Sequence, residues 1–240
     1  LNFSGISIDT RTIKKGNLFL AIKGKKVNGN NFVHAALKKG AGCVISSKIP
    51  KKNNKKIITI KNSISFLNSF AKFKRKLSLA KIIAVTGSAG KTSLKNLIKD
   101  LLQNFGQTCY SSKSFNNNLG VPISLSNLSF EDKFGVFEVG MSRAGEIKSL
   151  SRLIEPHIGI ITNIGEAHIE NFRSVNGIAK AKSEIIESIS EGGTIILNRD
   201  DKFFNYLSKK ANKYKLKIFT FGHHKKSDVQ IKKIIKKGEN

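Results

Sequence analysis

The chain has 240 residues, enough for one or two domains with a sizeable core, and carries a formal net charge of +27 with 39% hydrophobic residues. Only six of its 43 basic residues are arginine and the lysines are dispersed, which argues against a dedicated nucleic-acid surface while leaving attraction to anionic substrates open. No apolar run approaches the ~18–20 residues of a membrane span, and Cys43 and Cys109, without C-x-x-C spacing, indicate neither a zinc site nor a disulfide framework.

In chain order, "GISI" and "NLFLAI" read as strands, "FVHAALKKG" as a helix and "AGCVISS" as a strand. A lysine-rich connector, "KIPKKNNKK", leads to a strand at "IITI" and a helix from Ser63 to Lys76. These elements outline a small α/β domain over residues 1–79. From residue 80 the units lengthen. "KIIAVT" is a buried strand, followed by a Gly-rich loop and a helix from Lys91 to about Asn104. "FGVFEVG" precedes a helix near Ala144 to Ile154, and "HIGIITNIG", "TIILN" and "LKIFTF" supply further strands. Helices are expected from Ser174 to Ile189 and again after Asp200. Repeated strand–helix alternation predicts an α/β fold with a mostly parallel sheet over residues 80–240, nucleotide sites in such sheets lying beyond the carboxyl ends of the strands. The chain starts at Leu1 and ends on "QIKKIIKKGEN" without an evident closing element, so a fragment of a longer protein is expected. Two buried thiols in a reducing cytoplasm are the simplest reading of the cysteines.

The loop "TGSAGKTS" carries the first candidate chemistry. It lies between a buried strand and an amphipathic helix. Gly87 and Gly90 let successive backbone N–H groups turn toward phosphate oxygens, and the helix N-terminus adds partial positive charge. Lys91 would reach the terminal phosphates and the Thr92 hydroxyl a magnesium ion. The spacing differs from G-x-x-x-x-G-K-[ST], because Val85 stands where the first glycine would be. An ordinary strand-to-helix turn is the competing reading.

Further along, Asn116 and Asn117 in "FNNNLGVPISL" offer donors and acceptors before a Gly-x-Pro turn. Glu138 closes a strand on the edge that carries the phosphate loop, a position suited to magnesium, although an acid at a strand end, two residues before a glycine, is more often a solvated turn residue. His168 follows "HIGIITNI" and could ligate a divalent metal as neutral imidazole; a lone histidine is more often structural. Asp200 or Asp201 after "TIILN" could cap the next helix.

Taken in order, these segments resemble the Mur ligase family, ATP-dependent enzymes that join amino acids or peptides to a carboxylate. "TGSAGKTS" is similar to the family's shortened loop T-G-[ST]-x-G-K-[ST]. "GMSRAGEI" and Ala167-His168 are similar to the branch that adds D-alanyl-D-alanine to UDP-N-acetylmuramoyl tripeptide. The resemblance implies ATP contacts from Thr86, Gly87, Ser88, Ala89, Gly90, Lys91, Thr92 and Ser93, with Asn198 and Asp200 near adenine and ribose. It implies catalytic roles for Lys91, His168 and Lys182, and Mg2+ held by Thr92, Glu138, His168 and Lys182, the last as a carbamate. Asn116 and Asn117 would touch substrate. "ISIDTRTIKKGNLFLAIKG" resembles the family's UDP-binding domain, so Thr10 and Arg11 would face the uridine nucleotide, whereas Asn28-Gly29-Asn30-Asn31 departs from the usual Asp-Gly-His-Asp. The implied activity is ligation in peptidoglycan synthesis through an acyl phosphate; a cytoplasmic monomer with no dedicated nucleic-acid partner and no membrane span is expected. A family C-terminal domain is not among these residues, so little ligation is expected from them alone. Another Mur-type or folylpolyglutamate ligase, a phosphate-loop kinase, and an NTP-driven nucleic-acid protein are the alternatives.

Overall fold

The computed structural model describes residues 3–24, 26–50, 54–112, 114–167 and 169–234. They form two compact units, Leu1–Ser78 with Pro122–Ser129, and Leu79–Val121 with Phe130–Asn240.

The first unit contains β1 (Ile6–Ser7), β2 (Leu18–Leu20), α1 (Val33–Lys38), β3 (Cys43–Ser46), β4 (Ile57–Thr59) and α2 (Ser63–Leu77). Its four strands pair in parallel in the order β1-β2-β3-β4. Phe19, Ala21, Val33, Ala36, Ala41 and Val44 form the core between sheet and helix. The Asn62 side chain accepts hydrogen bonds from the N–H groups of Ile64 and Ser65, which fixes where α2 begins. The short edge strand β1 is clasped from far along the chain. Asn127 Oδ1 accepts from the Ile6 N–H at 2.9 Å, and Asn127 Nδ2 donates to the Ile6 carbonyl at 3.2 Å. Residues 122–129 therefore group with the first unit, beyond the span 1–79 read from the sequence, because a contact between residues 121 apart leaves no local signature.

The second unit contains β5 (Lys81–Thr86), α3 (Lys91–Leu102), β6 (Thr108–Tyr110), α4 (Gly120–Ser126, shared with the first unit), β7 (Phe134–Glu138) and α5 (Glu146–Ile154). It continues with β8 (Ile158–Ile161), α6 (Ile169–Phe172), α7 (Val175–Lys182), β9 (Thr194–Asn198), α8 (Phe204–Lys213), β10 (Lys217–Gly222) and β11 (Val229–Gln230). All seven strands pair in parallel in the order β11-β10-β9-β8-β5-β7-β6. Ile82, Ile83, Ala84 and Val85 of β5 are all buried, as expected of a central parallel strand covered on both faces. Ile83 and Val85, with Val136 and Ile160, pack against Leu94, Ile98 and Leu102 of α3. After β5 the chain runs out to β6 and β7 on one side and then returns to β8 on the other. The order reverses at β5, and the crevice beyond the carboxyl ends of β5, β7 and β8 is the topological switch point at which ligands of such sheets bind.

Three readings of the sequence change in detail. The helix expected from Ser174 to Ile189 is α7 as far as Lys182 and then a 3-10 helix over Ser183–Ser188. The Gly-x-Pro turn is the first turn of α4. There Asn117 Oδ1 accepts from the N–H groups of Leu119 and Gly120, and Pro122 falls where a missing N–H breaks no helical bond. Cys43 is buried, but Cys109 is only half-buried.

Candidate nucleotide and metal site

The phosphate loop is built by two left-handed glycines and a neighbouring loop that pins it. Gly87 has φ +148° and Gly90, which precedes α3, has φ +78°, conformations that a side chain resists. Thr162 and Asn163, directly after β8, hold the loop from the side. Thr162 Oγ1 donates to the Ala89 carbonyl at 2.6 Å, Asn163 Oδ1 accepts from the Ala89 N–H at 3.0 Å, and the Ser88 N–H donates to the Asn163 carbonyl at 3.0 Å. Ser88 Oγ accepts from the Gly165 N–H and donates to its carbonyl. Asp201 holds the second loop in turn, accepting from the Ile164 N–H at 2.7 Å.

A Cβ on Gly87 would stand 1.8 Å from Thr162 Oγ1, whereas one on Gly90 would meet nothing within 4 Å. Gly87→Ala is therefore expected to cost about 2–4 kcal/mol and to dislodge the loop, while Gly90→Ala costs about 1 kcal/mol in backbone strain alone. Urea unfolding of the two variants checks this; equal losses would contradict it.

Two lysines meet inside the loop. Lys91 Nζ donates to the Gly87 carbonyl at 2.9 Å, and Lys182 Nζ donates to the same oxygen, also at 2.9 Å. The two nitrogens are thus no more than twice that distance apart, although ninety residues separate them in sequence. Lys182 is 2% exposed, and burial, reinforced by the charge of Lys91, lowers its pKa from the ordinary lysine value to about 7. Thr86, at the head of the loop, is fully buried, with Oγ1 lacking a hydrogen-bond partner among the described residues. That hydroxyl remains available to a ligand or water.

On the neighbouring strand β7, Glu138 is 1% exposed and joins the end of this loop to the Asn116 segment. Oε2 accepts from Thr92 Oγ1 at 2.7 Å and Oε1 from Asn116 Nδ2 at 2.7 Å. Hydroxyl and carboxylate oxygens are hard donors suited to Mg2+. Among the described residues no group of three or more His, Cys, Asp or Glu could hold a metal ion. The donor set fits a magnesium ion that shares its coordination with phosphates and water, the usual arrangement of nucleotide sites. A cleft of about 270 Å³ opens beside these residues, lined by Lys91, Asn116, Asn117, Lys182, Ser142 and Glu146 among others.

Of the residues singled out in the sequence, Lys91, Thr92, Asn116, Glu138 and Lys182 come together here. His168 lies outside the described residues. Asn198 and Asp200 bond within the protein: Asn198 Oδ1 accepts from the nearby Asp200 N–H, and the Asp200 carboxylate accepts from the N–H groups of His223 and His224. Those bonds, His223 first, lower the Asp200 pKa and fasten the loop after β10. Thr10 and Arg11 belong to the first unit, where Asp9 grips the exposed Arg11 guanidinium at 2.7 Å and the Thr10 carbonyl accepts from Lys39. Asn28 and Asn30 brace one another, and Asn30 Oδ1 accepts from Ser46 Oγ and the Ser47 N–H.

Sequence reasoning missed Thr162, Asn163 and Lys95. The first two stood in a quoted segment, their one signal being polar side chains directly after a buried strand. Lys95 follows Lys91 by one helical turn and is 1% exposed, a position hidden by the abundance of lysine.

Comparison with known proteins identifies the family. The model of the Mur ligase middle domain matches residues 85–240, and that of the Mur ligase family catalytic domain matches residues 2–81. The chain belongs to the Mur ligase family. The UDP-N-acetylmuramoyl-tripeptide–D-alanyl-D-alanine ligase of Rickettsia prowazekii is 39% identical over 233 residues, covering 96% of this chain and 52% of that protein. Among solved structures, MurF from Acinetobacter baumannii superposes with TM-score 0.77 at 31% identity, over 91% of this chain and 48% of the other. MurF from Thermotoga maritima in complex with ADP gives 0.74 at 28%, over 91% and 50%. The chain spans about half the length of these Mur ligase relatives. No helix among the described residues is long and apolar enough to cross a membrane.

Proposed function

We propose that the chain carries the ATP-binding and UDP-substrate-binding parts of a ligase that adds D-alanyl-D-alanine to UDP-N-acetylmuramoyl tripeptide. The observation that carries this reading is the meeting of Lys91 and Lys182 at one carbonyl, beside the Thr92–Glu138 pair. In the proposed reaction the tripeptide carboxylate attacks the γ-phosphorus of ATP and ADP leaves. The amine of D-alanyl-D-alanine then attacks the acyl phosphate and expels phosphate, losing a proton as the amide forms. Two anions must approach one another in the first step, so the protein's task is placement and charge neutralisation.

Lys91 and the loop N–H groups would neutralise the transferring phosphoryl group. Magnesium, when bound, would supply Lewis-acid charge between carboxylate and γ-phosphate, held by Thr92, Glu138, His168 and Lys182 as its carbamate. Asn116 and Asn117, lining the cleft, would touch the acyl substrate. Asn198 and Asp200 would lie toward the nucleoside, and Thr10 and Arg11 would take the uridine nucleotide, the guanidinium exchanging part of its hold on Asp9 for an anion.

The test is phosphate release by the complete protein, with a hydroxylamine trap for acyl phosphate. Without hydroxylamine, release is expected only when ATP, UDP-N-acetylmuramoyl tripeptide and D-alanyl-D-alanine are all present; with hydroxylamine in place of the amine, hydroxamate and phosphate are expected together. Release driven by another amino acid would move the protein to a different Mur branch. Hydrolysis stimulated by nucleic acid without hydroxamate would defeat the reading.

A further inference from the structure

Lys95 is a charged side chain that the proposed reaction does not use, and it is 1% exposed. Such burial is tolerated only when the ammonium is hydrogen-bonded and balanced by opposite charge. Its Nζ donates to the Ser111 carbonyl at 2.8 Å, and Ser111 Oγ accepts from the backbone N–H of Glu138 at 3.2 Å. Ser111 thus ties the ammonium to the strand end that bears Glu138. Burial depresses the Lys95 pKa, while the Glu138 carboxylate pulls it upward and Lys99 opposes that pull. Among the described residues the donors on the Glu138 oxygens are Thr92 and Asn116, both neutral, and they orient the carboxylate without cancelling its charge.

Resting on the nucleotide-site reading above, we propose that Lys95 is a built-in counter-cation for Glu138 that keeps a divalent metal off this carboxylate until a nucleotide's phosphates arrive. A divalent ion approaching Glu138 alone meets the positive charge of Lys95, which Ser111 holds near that strand end. At the short range and reduced dielectric of a buried site, like charges cost orders of magnitude in affinity. A triphosphate supplies the compensating negative charge, so metal and nucleotide bind as one unit. A purely structural Lys95, filling space beneath α3, would influence stability but would not suppress metal binding.

The experiment titrates Mn2+ into the 240-residue chain, read by electron paramagnetic resonance, with and without a non-hydrolysable ATP analogue. Lys95→Met is expected to tighten nucleotide-free Mn2+ binding by about tenfold or more, and to shrink the gain from nucleotide by the same factor. Lys95→Arg should behave as wild type, and Lys95→Met combined with Glu138→Gln should lose the gain. Lys95→Gln, which keeps a donor for the Ser111 carbonyl, is read identically if Lys95→Met does not fold. Unchanged or weaker nucleotide-free binding in the uncharged variants, or loss of fold in both, would overturn the proposal. Failure of the wild-type chain to bind the ATP analogue would instead sink the nucleotide-site reading, which separates the two.

Discussion

Lys91→Ala is expected to lower ligation by the complete protein at least about a thousandfold while leaving its thermal midpoint nearly unchanged. The two halves of this expectation have separate causes. The Lys91 ammonium hydrogen-bonds to the carbonyls of Gly87 and Ser88, yet the shape of the loop is fixed independently by Thr162, Asn163 and the Ser88–Gly165 pair. Removing the ammonium therefore deletes charge at the transferring phosphate without unfastening its cradle. The variant also relieves Lys182 of a neighbouring positive charge that helps to lower its pKa, so any stability change should be small and favourable. Phosphate-release kinetics and calorimetry on the same preparation check both halves. Near-normal turnover would remove Lys91 from the reaction, and collapse of the fold would show that the loop depends on it.

How far the sequence reaches is clearest in this loop. The order strand, glycine loop, Lys-Thr, helix is local, and β5 and α3 begin where the sequence pattern indicates, at Lys81 and Lys91. The parallel sheet was legible because long apolar runs alternate with helical spacing. The short pieces β6, β11 and α6, two to four residues long, were not, since so few residues express no period. Tertiary fastening was also invisible. Nothing near Asn127 announces Ile6, and nothing near Asp201 announces Ile164. Glu184 caps the start of α5 through the N–H groups of Gly145 and Lys148, nearly forty residues away, with the same silence. Lys182 marks the boundary between the two kinds of knowledge. Its identity came from resemblance to a family, but its burial and its contact with the Gly87 carbonyl are properties of the folded chain alone.

That burial makes a second large effect measurable in the absence of any ligand. In the unfolded chain Lys182 titrates near the ordinary lysine value, and in the folded one at about 7. Between those values the unfolded state binds more protons, so this residue's contribution to stability rises with pH across that window. Below pH 7 the full cost of burying the ammonium is present, on the order of 3–5 kcal/mol. Lys182→Met is accordingly expected to be more stable than wild type at pH 6, with the gap closing as pH climbs from 7 toward 10. Comparing the two proteins cancels the titration of the many surface lysines. The same shift bears on reactivity, because only a neutral amine attacks carbon dioxide. Roughly half of Lys182 is neutral at pH 7, against well under a thousandth of an ordinary lysine. A carbamate signal in 13C spectra recorded under labelled bicarbonate should therefore grow as pH rises from 6 to 8 and vanish in Lys182→Met. The complete protein with that substitution should lose ligation by at least about a hundredfold. A stability gap that does not vary with pH would contradict the buried-ammonium account, and a carbamate signal that survives the substitution would assign the modification to a different lysine.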